Sequence, residues 1–207
     1  MRTKGLSAGS LRRIAYNWRK RKMRSIIYNS QRNNKTVHKL SPSVQCFATS
    51  AWMFLSWYAP EKYRGGDDDA LSWFVGDVTM RSASDEFEWS AQAAMIQKYL
   101  DAAGVEKTVK LGSDLDTGNP LTPASQLAAY LTSGPVIIGT KKMGNLPGGH
   151  IILGVDNAPD GAGVICHDPY GDARTNYRST DGAGVIYPVF MFDAKYPAGP
   201  VRTLYAI

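Results

Sequence analysis

The sequence predicts an α+β domain in which N-terminal helices pack on a C-terminal antiparallel sheet. Two observations carry that prediction. Apolar positions suited to helices fill 46–58, 88–103 and the stretch from 122 onward. From residue 135 the pattern changes to β-branched runs, PVIIGT, HIILGV, GVICHD and GVIYPVFMF, separated by Gly, Pro, Asn and Asp clusters. Helices and strands segregated in this way favour helices laid on an antiparallel sheet. The composition agrees, since 207 residues with 43% hydrophobic and 11% aromatic content suit one core with at most an appended arm.

Each element has its own signal. The run SPSVQCFATSAWMFLSWY passes from a polar loop into an apolar helix over 46–58, which Pro60 ends. Residues 61–85 are mixed, with a short helical candidate around Ala70–Val75 and a GGDDD segment that reads as a solvated turn rather than a metal site. EWSAQAAMIQKYLDAA (88–103) is Ala-rich with helical spacing, and Gly104 suits its C-cap. Residues 112–123 are loop-like, and Thr122 and Pro123 start a third helix through LAAYL, with Pro in its first turn.

Charge divides the chain differently. Residues 1–60 hold twelve Lys and Arg and no Asp or Glu, so the net +6 is a +12 segment followed by a −6 remainder. Within it, LRRIAYNWRKRKMRSIIY follows a capping Ser10 and places Leu11, Ile14, Ala15 and Trp18 on one helical face among basic residues. Residues 1–28 are therefore expected to form a cationic amphipathic arm on a domain spanning 29–207. Such an arm suits an anionic membrane, lipopolysaccharide or nucleic acid; docking of its apolar stripe on the body is the competing expectation.

Other classes are excluded. No apolar run approaches the ~20 residues of a membrane-spanning helix, and no apolar h-region marks a secretory signal. The chain is expected to be cytoplasmic at synthesis, acting there, at a cell envelope or in a host. Two cysteines, Cys46 and Cys166, make no disulfide framework. Cys46, Cys166, His150 and His167 lack the closely spaced pairs of a zinc site, and no phosphate-binding glycine loop is present.

Cys46 stands where a helix begins, and there the macrodipole and free backbone N–H groups stabilise a thiolate. Three histidines could serve it. His38 lies in the cationic loop, His150 opens a strand and His167 lies inside VICHDP. If 150–155 and 163–168 form a hairpin around DNAPDGAG, paired residue numbers sum to about 318, and His150 then faces Asp168. His167 points to the other face and is expected to be structural. Cys166 shares the face of Asp168 and is expected to pack. Nucleophile, base and orienting acid are thus Cys46, His150 and Asp168.

YNSQRNN (28–34), QCFATSAWMFL (45–55), SGPVIIG (133–139), GGHIILGVD (148–156) and VICHDPYGD (164–172) together resemble the papain-like cysteine peptidases of the C39-like family and the related AvrRpt2-type effectors. The resemblance covers about residues 28–172 and implies a papain-like fold. It also implies that Cys46 is the nucleophile, His150 the base, Asp168 its orienter and Gln31 the oxyanion-hole glutamine, with Gln45 as rival donor. Ser50 matches the family's helix serine. Asn33 stands where the family usually has Asp, and Phe47 replaces a common Gly after the nucleophile.

The expected function is hydrolysis of an amide bond through an acyl-enzyme, with no cofactor and no metal. Peptidoglycan stem peptides are the favoured substrate, as in a phage lysin. A protein-cleaving effector or processing peptidase is the enzymatic alternative, and an inactive domain binding nucleic acid or membrane through its basic arm is the non-enzymatic one.

Overall fold

A computed structural model of the chain describes residues 26–37, 40–64, 88–112, 124–159, 161, 163–199 and 201–207. The arm through residue 25, His38, the GGDDD segment, the candidate helix at 70–75 and most of the 112–123 loop lie outside the described residues.

Among the described residues there are three α-helices and one six-stranded antiparallel sheet, so the fold is α+β. The helices are α1 (Cys46–Tyr58), α2 (Trp89–Ala102) and α3 (Ala124–Ser133). The strands are β1 (Val109–Leu111), β2 (Val136–Thr140), β3 (His150–Asn157), β4 (Gly163–His167), β5 (Val185–Pro188) and β6 (Arg202–Ala206). Their order across the sheet is β1-β6-β2-β3-β4-β5.

α1 is apolar nearly all round, and every residue from Phe47 to Ser56 is buried, as a central helix requires. α2 buries one stripe, Gln92, Met95, Ile96, Tyr99 and Leu100. It ends in a Schellman turn: Gly104 at φ +70 donates to Asp101 O, and Val105 donates to Leu100 O. The sheet divides the core. α1 and α2 pack with Ile137, Leu153, Val155 and Leu204 on one face. On the other, Leu127, Tyr130 and Leu131 of α3 meet Ile138, Ile152, Val164, Cys166 and Tyr187. Each such side chain contributes about 1.5–3 kcal/mol by leaving water.

Two sequence expectations need correction, and one strand, β6, is not expected from the sequence. The run GVIYPVFMF is not one strand: β5 stops at Pro188, and Val189–Phe192 forms a 3-10 turn. Proline has no N–H to give a ladder, so pairing ends there. β6 carries no turn-bounded alternating signal, yet it lies inside the sheet between β1 and β2. The β3–β4 register also differs. Leu153 pairs with His167 and Gly154 with Cys166, whereas beyond a bulge Asp156 pairs with Ile165. Paired numbers sum to 320 before the bulge and 321 after it, not 318. A shift of two keeps faces, so His150 and Asp168 still share one; a shift of one would have separated them.

The segment entering the body is anchored. Ile26 is buried in the α1 face of the core, and the Tyr28 hydroxyl donates to Asp168 O at 2.9 Å. Among the described residues no helix is long and apolar enough to cross a membrane.

Candidate active site

The site forms at one end of the sheet, where the N-terminus of α1 meets the first residue of β3. Pro42–Val44 makes a 3-10 turn, and Gln45 then caps α1 without a side-chain bond to its backbone. The orphan N–H groups of the first helical turn therefore surround Cys46. Cys46 keeps part of its surface open, whereas Cys166 is fully buried.

One turn along α1, Ser50 Oγ donates to Ile151 O at 3.2 Å. That bond ties the helix to β3 at the residue after His150, so it fixes the nucleophile's helix against the strand that carries the base. Phe47 points into the core beneath.

His150 is 2% exposed and Asp168 is wholly enclosed. His150 Nε2 lies 2.7 Å from Asp168 Oδ1. The Cys46 sulfur is a close enough neighbour of His150 to favour its charged form. Cys46, His150 and Asp168 are thus joined in the order that the sequence predicts, by a diagonal rather than a directly opposed pair. Burial alone would push the His150 pKa down. The Asp168 carboxylate, its hydrogen bond and the Cys46 sulfur outweigh burial and raise it to about 10. The imidazole is held as imidazolium between two acids.

Asp168 is itself fixed on every side. Oδ1 also accepts from the Tyr170 N–H at 3.0 Å, and Oδ2 accepts from the Tyr187 hydroxyl at 2.7 Å and the Tyr177 hydroxyl at 3.3 Å. Its backbone N–H donates to Gly182 O at 2.9 Å. A Cβ on Gly182 would overlap the Asp168 carbonyl oxygen, so only glycine allows this approach. Sequence reasoning missed the two tyrosines; their numbers carry no motif, and the signal was only that a buried Tyr hydroxyl needs a partner.

The two glutamines separate cleanly. Gln45 Nε2 donates to Lys35 O and Leu40 O, both at 2.9 Å, and Oε1 accepts from Asn34 Nδ2 at 2.9 Å. Both amide hydrogens are spent on holding the loop. Gln31 is fully buried; its Nε2 donates to Pro42 O at 2.8 Å, and Oε1 has no partner. One Gln31 amide hydrogen remains, beside the turn that leads into Cys46. Its backbone N–H donates to Pro169 O at 2.9 Å, which ties Gln31 to the residue after Asp168.

The remaining candidates stand apart. His167 faces the other side of the sheet, accepts from the Gly184 N–H at Nδ1 at 3.0 Å, and stacks edge-on with Tyr28. Burial pushes its pKa down to about 4, so it is neutral. The Cys166 thiol is raised well above its usual range by burial and then by nearby Asp168. Among the described residues no group of three or more His, Cys, Asp or Glu is arranged to hold a metal ion.

A partly open sulfur paired with imidazolium, beside helix N–H groups, can attack a carbonyl and hold the resulting oxyanion. No protein-family model matches the chain, and no curated protein is similar enough to it to count as a relative.

Proposed function

We propose that this protein is a papain-like cysteine hydrolase that cleaves amide bonds. The observation that carries the reading is the chain of contacts from Cys46 to His150 to Asp168, with His150 held as imidazolium. The layout supports a papain-like fold: a nucleophile opens a buried helix on one face of the sheet, the base opens β3 and the acid directly follows β4.

In the proposed reaction the Cys46 proton already rests on His150 as the imidazolium, and the thiolate attacks the amide carbonyl carbon. The oxyanion is received by the Cys46 backbone N–H and by the remaining amide hydrogen of Gln31. His150 then gives its proton to the departing amine, which leaves an acyl-enzyme. Water, deprotonated by His150, attacks the thioester and releases the acid, and Cys46 departs as thiolate beside the restored imidazolium. Asp168 holds the imidazole ring and stays ionised throughout. No step calls on a metal or an organic cofactor.

Peptidoglycan stem peptides are the proposed substrate class, because the +12 charge of residues 1–60 favours an anionic envelope. Protein cleavage by an effector or processing peptidase is the alternative that the same site allows. An electrophilic thiol probe at neutral pH should label Cys46 well before Cys166. Turnover should vanish in Cys46→Ala and His150→Ala and fall by orders of magnitude in Asp168→Asn. Loss of turbidity in permeabilised bacteria, run beside a generic protein substrate, separates the two substrate classes. Preferential labelling of Cys166, or turnover that survives Cys46→Ala on every substrate, would remove the hydrolase reading and leave an inactive domain with a basic arm.

A further inference from the structure

The Asp168 carboxylate is gripped by two tyrosines of the core, Tyr177 and Tyr187, which both turn their hydroxyls to it. Tyr177 has φ 62 and follows Asn176 at φ 53, so two successive side-chain-bearing residues adopt the left-handed conformation. For a bulky residue that conformation is uncommon and strained. The Tyr177 N–H donates to Asp172 O at 3.0 Å, and its carbonyl accepts from Arg32 Nη2 at 3.4 Å, which holds the turn in place. Gly144 at φ +51 lies against the ring, where a Cβ would stand about 3.0 Å from it.

The strained turn aims Tyr177 at the site. Its ring meets His150 edge to face at 5.9 Å, and its hydroxyl reaches Asp168 Oδ2. Tyr187 comes from β5, on the far side of β4, and gives the shorter bond to the same oxygen. With Oδ2 occupied by two phenols, the carboxylate cannot rotate, and Oδ1 stays directed at His150 Nε2. Burial and then the neighbouring carboxylate raise the pKa of both phenols, so both remain donors wherever the protein is folded.

We propose that Tyr177 and Tyr187 are positioning residues, which act through Asp168 to keep His150 charged and correctly turned toward Cys46. The proposal rests on the cysteine hydrolase reading and deepens it. The two donors hold the carboxylate where it supports the imidazolium, so their removal weakens that support and, through His150, the hold on the Cys46 sulfur in its reactive form. The other titratable groups around this carboxylate are His150 from β3, with Cys46 from α1 beyond it, and Cys166 from β4; Asp172 lies behind Tyr177. Tyr28 touches only the Asp168 backbone oxygen.

The test is the pH profile of Cys46 alkylation by iodoacetamide, which needs no known substrate. It is run on the full chain, the Tyr177→Phe and Tyr187→Phe variants, and the double variant. Phenylalanine keeps each ring and removes only the hydroxyl. Hydrogen bonds to a charged group are the stronger ones and only part of their loss is passed on from Asp168 to Cys46, so the acid limb in the double variant should move up by about one to two pH units. Tyr177→Phe disturbs no further described hydrogen bond, whereas the Tyr187 hydroxyl also accepts from the Ala173 N–H at 3.0 Å. Tyr177→Phe therefore carries the test if the Tyr187 variants do not fold, with a smaller shift in the same direction. If the variants melt earlier but keep the wild-type profile, the tyrosines are packing residues and the proposal is overturned while the hydrolase reading stands. If wild-type Cys46 reacts no faster than a free thiol at any pH, and His150→Ala changes nothing, both readings fall together.

Discussion

Two histidines, one position either side of the β3–β4 pair, have opposite fates because of what surrounds them. His150 meets a buried carboxylate and a sulfur, and its pKa rises to about 10; His167 has only backbone groups and the weaker influence of Asp181 against burial, which drives it to about 4. The signs give a prediction. Between pH about 6.5 and 10 the folded protein binds a proton at His150 that the unfolded chain releases, so this contribution to stability is full below pH 6.5 and is lost as pH rises. Between pH about 4 and 6.5 the unfolded chain binds a proton that folded His167 refuses, so stability rises with pH there. Thermal midpoints should therefore peak near pH 6.5. His150→Gln should flatten the alkaline side and His167→Asn the acid side. Alkaline slopes that match in wild type and His150→Gln would contradict the imidazolium assignment.

At the scale of elements, the site depends on strand ends and on a hidden strand. β3 and β4 bring the base and the acid together only because the bulge between Gly154 and Asp156 takes up the odd residue. β6 supports the sheet from the other side, pairing with both β1 and β2. Leu204 of β6 is fully buried, while Leu111, its partner on edge strand β1, is 47% exposed. Leu204→Ala should cost about 2–5 kcal/mol in urea denaturation. Leu111→Ala should fall within about 0.5 kcal/mol of wild type. Similar losses at the two positions would mean that β6 is not the interior strand.

For the whole molecule, nine of the twelve basic residues of the 1–60 segment lie in residues 1–25, ahead of the chemistry. The proposed reaction begins at Gln31, and the body's first anchors are Ile26 and Tyr28. Removal of residues 1–25 keeps both anchors, so Cys46 alkylation and hydrolysis of a small soluble substrate should change little. Binding to anionic vesicles, lipopolysaccharide or nucleic acid should fall sharply, most visibly at low ionic strength, where surface charges are least screened. A truncated protein that is insoluble, or whose Cys46 is no longer reactive, would show instead that Leu11, Ile14 and Trp18 are part of the packing.

Periodicity and punctuation made α1, α2 and β2–β4 legible, because a helix mouth, a C-cap glycine and a β-branched run each act through near neighbours in the chain. The same local logic picked out Cys46, and strand parity put His150 and Asp168 on one face even though the register was off by two. The tertiary structure decided what depends on residues far apart in sequence. It placed β6 between β1 and β2, spent both amide hydrogens of Gln45 on the loop, and left Gln31 with one to give. It also brought Tyr177 and Tyr187 onto Asp168, from 9 and 19 residues away. Sequence spacing does not encode such contacts, since a buried carboxylate selects its donors from whatever the folded chain carries past it.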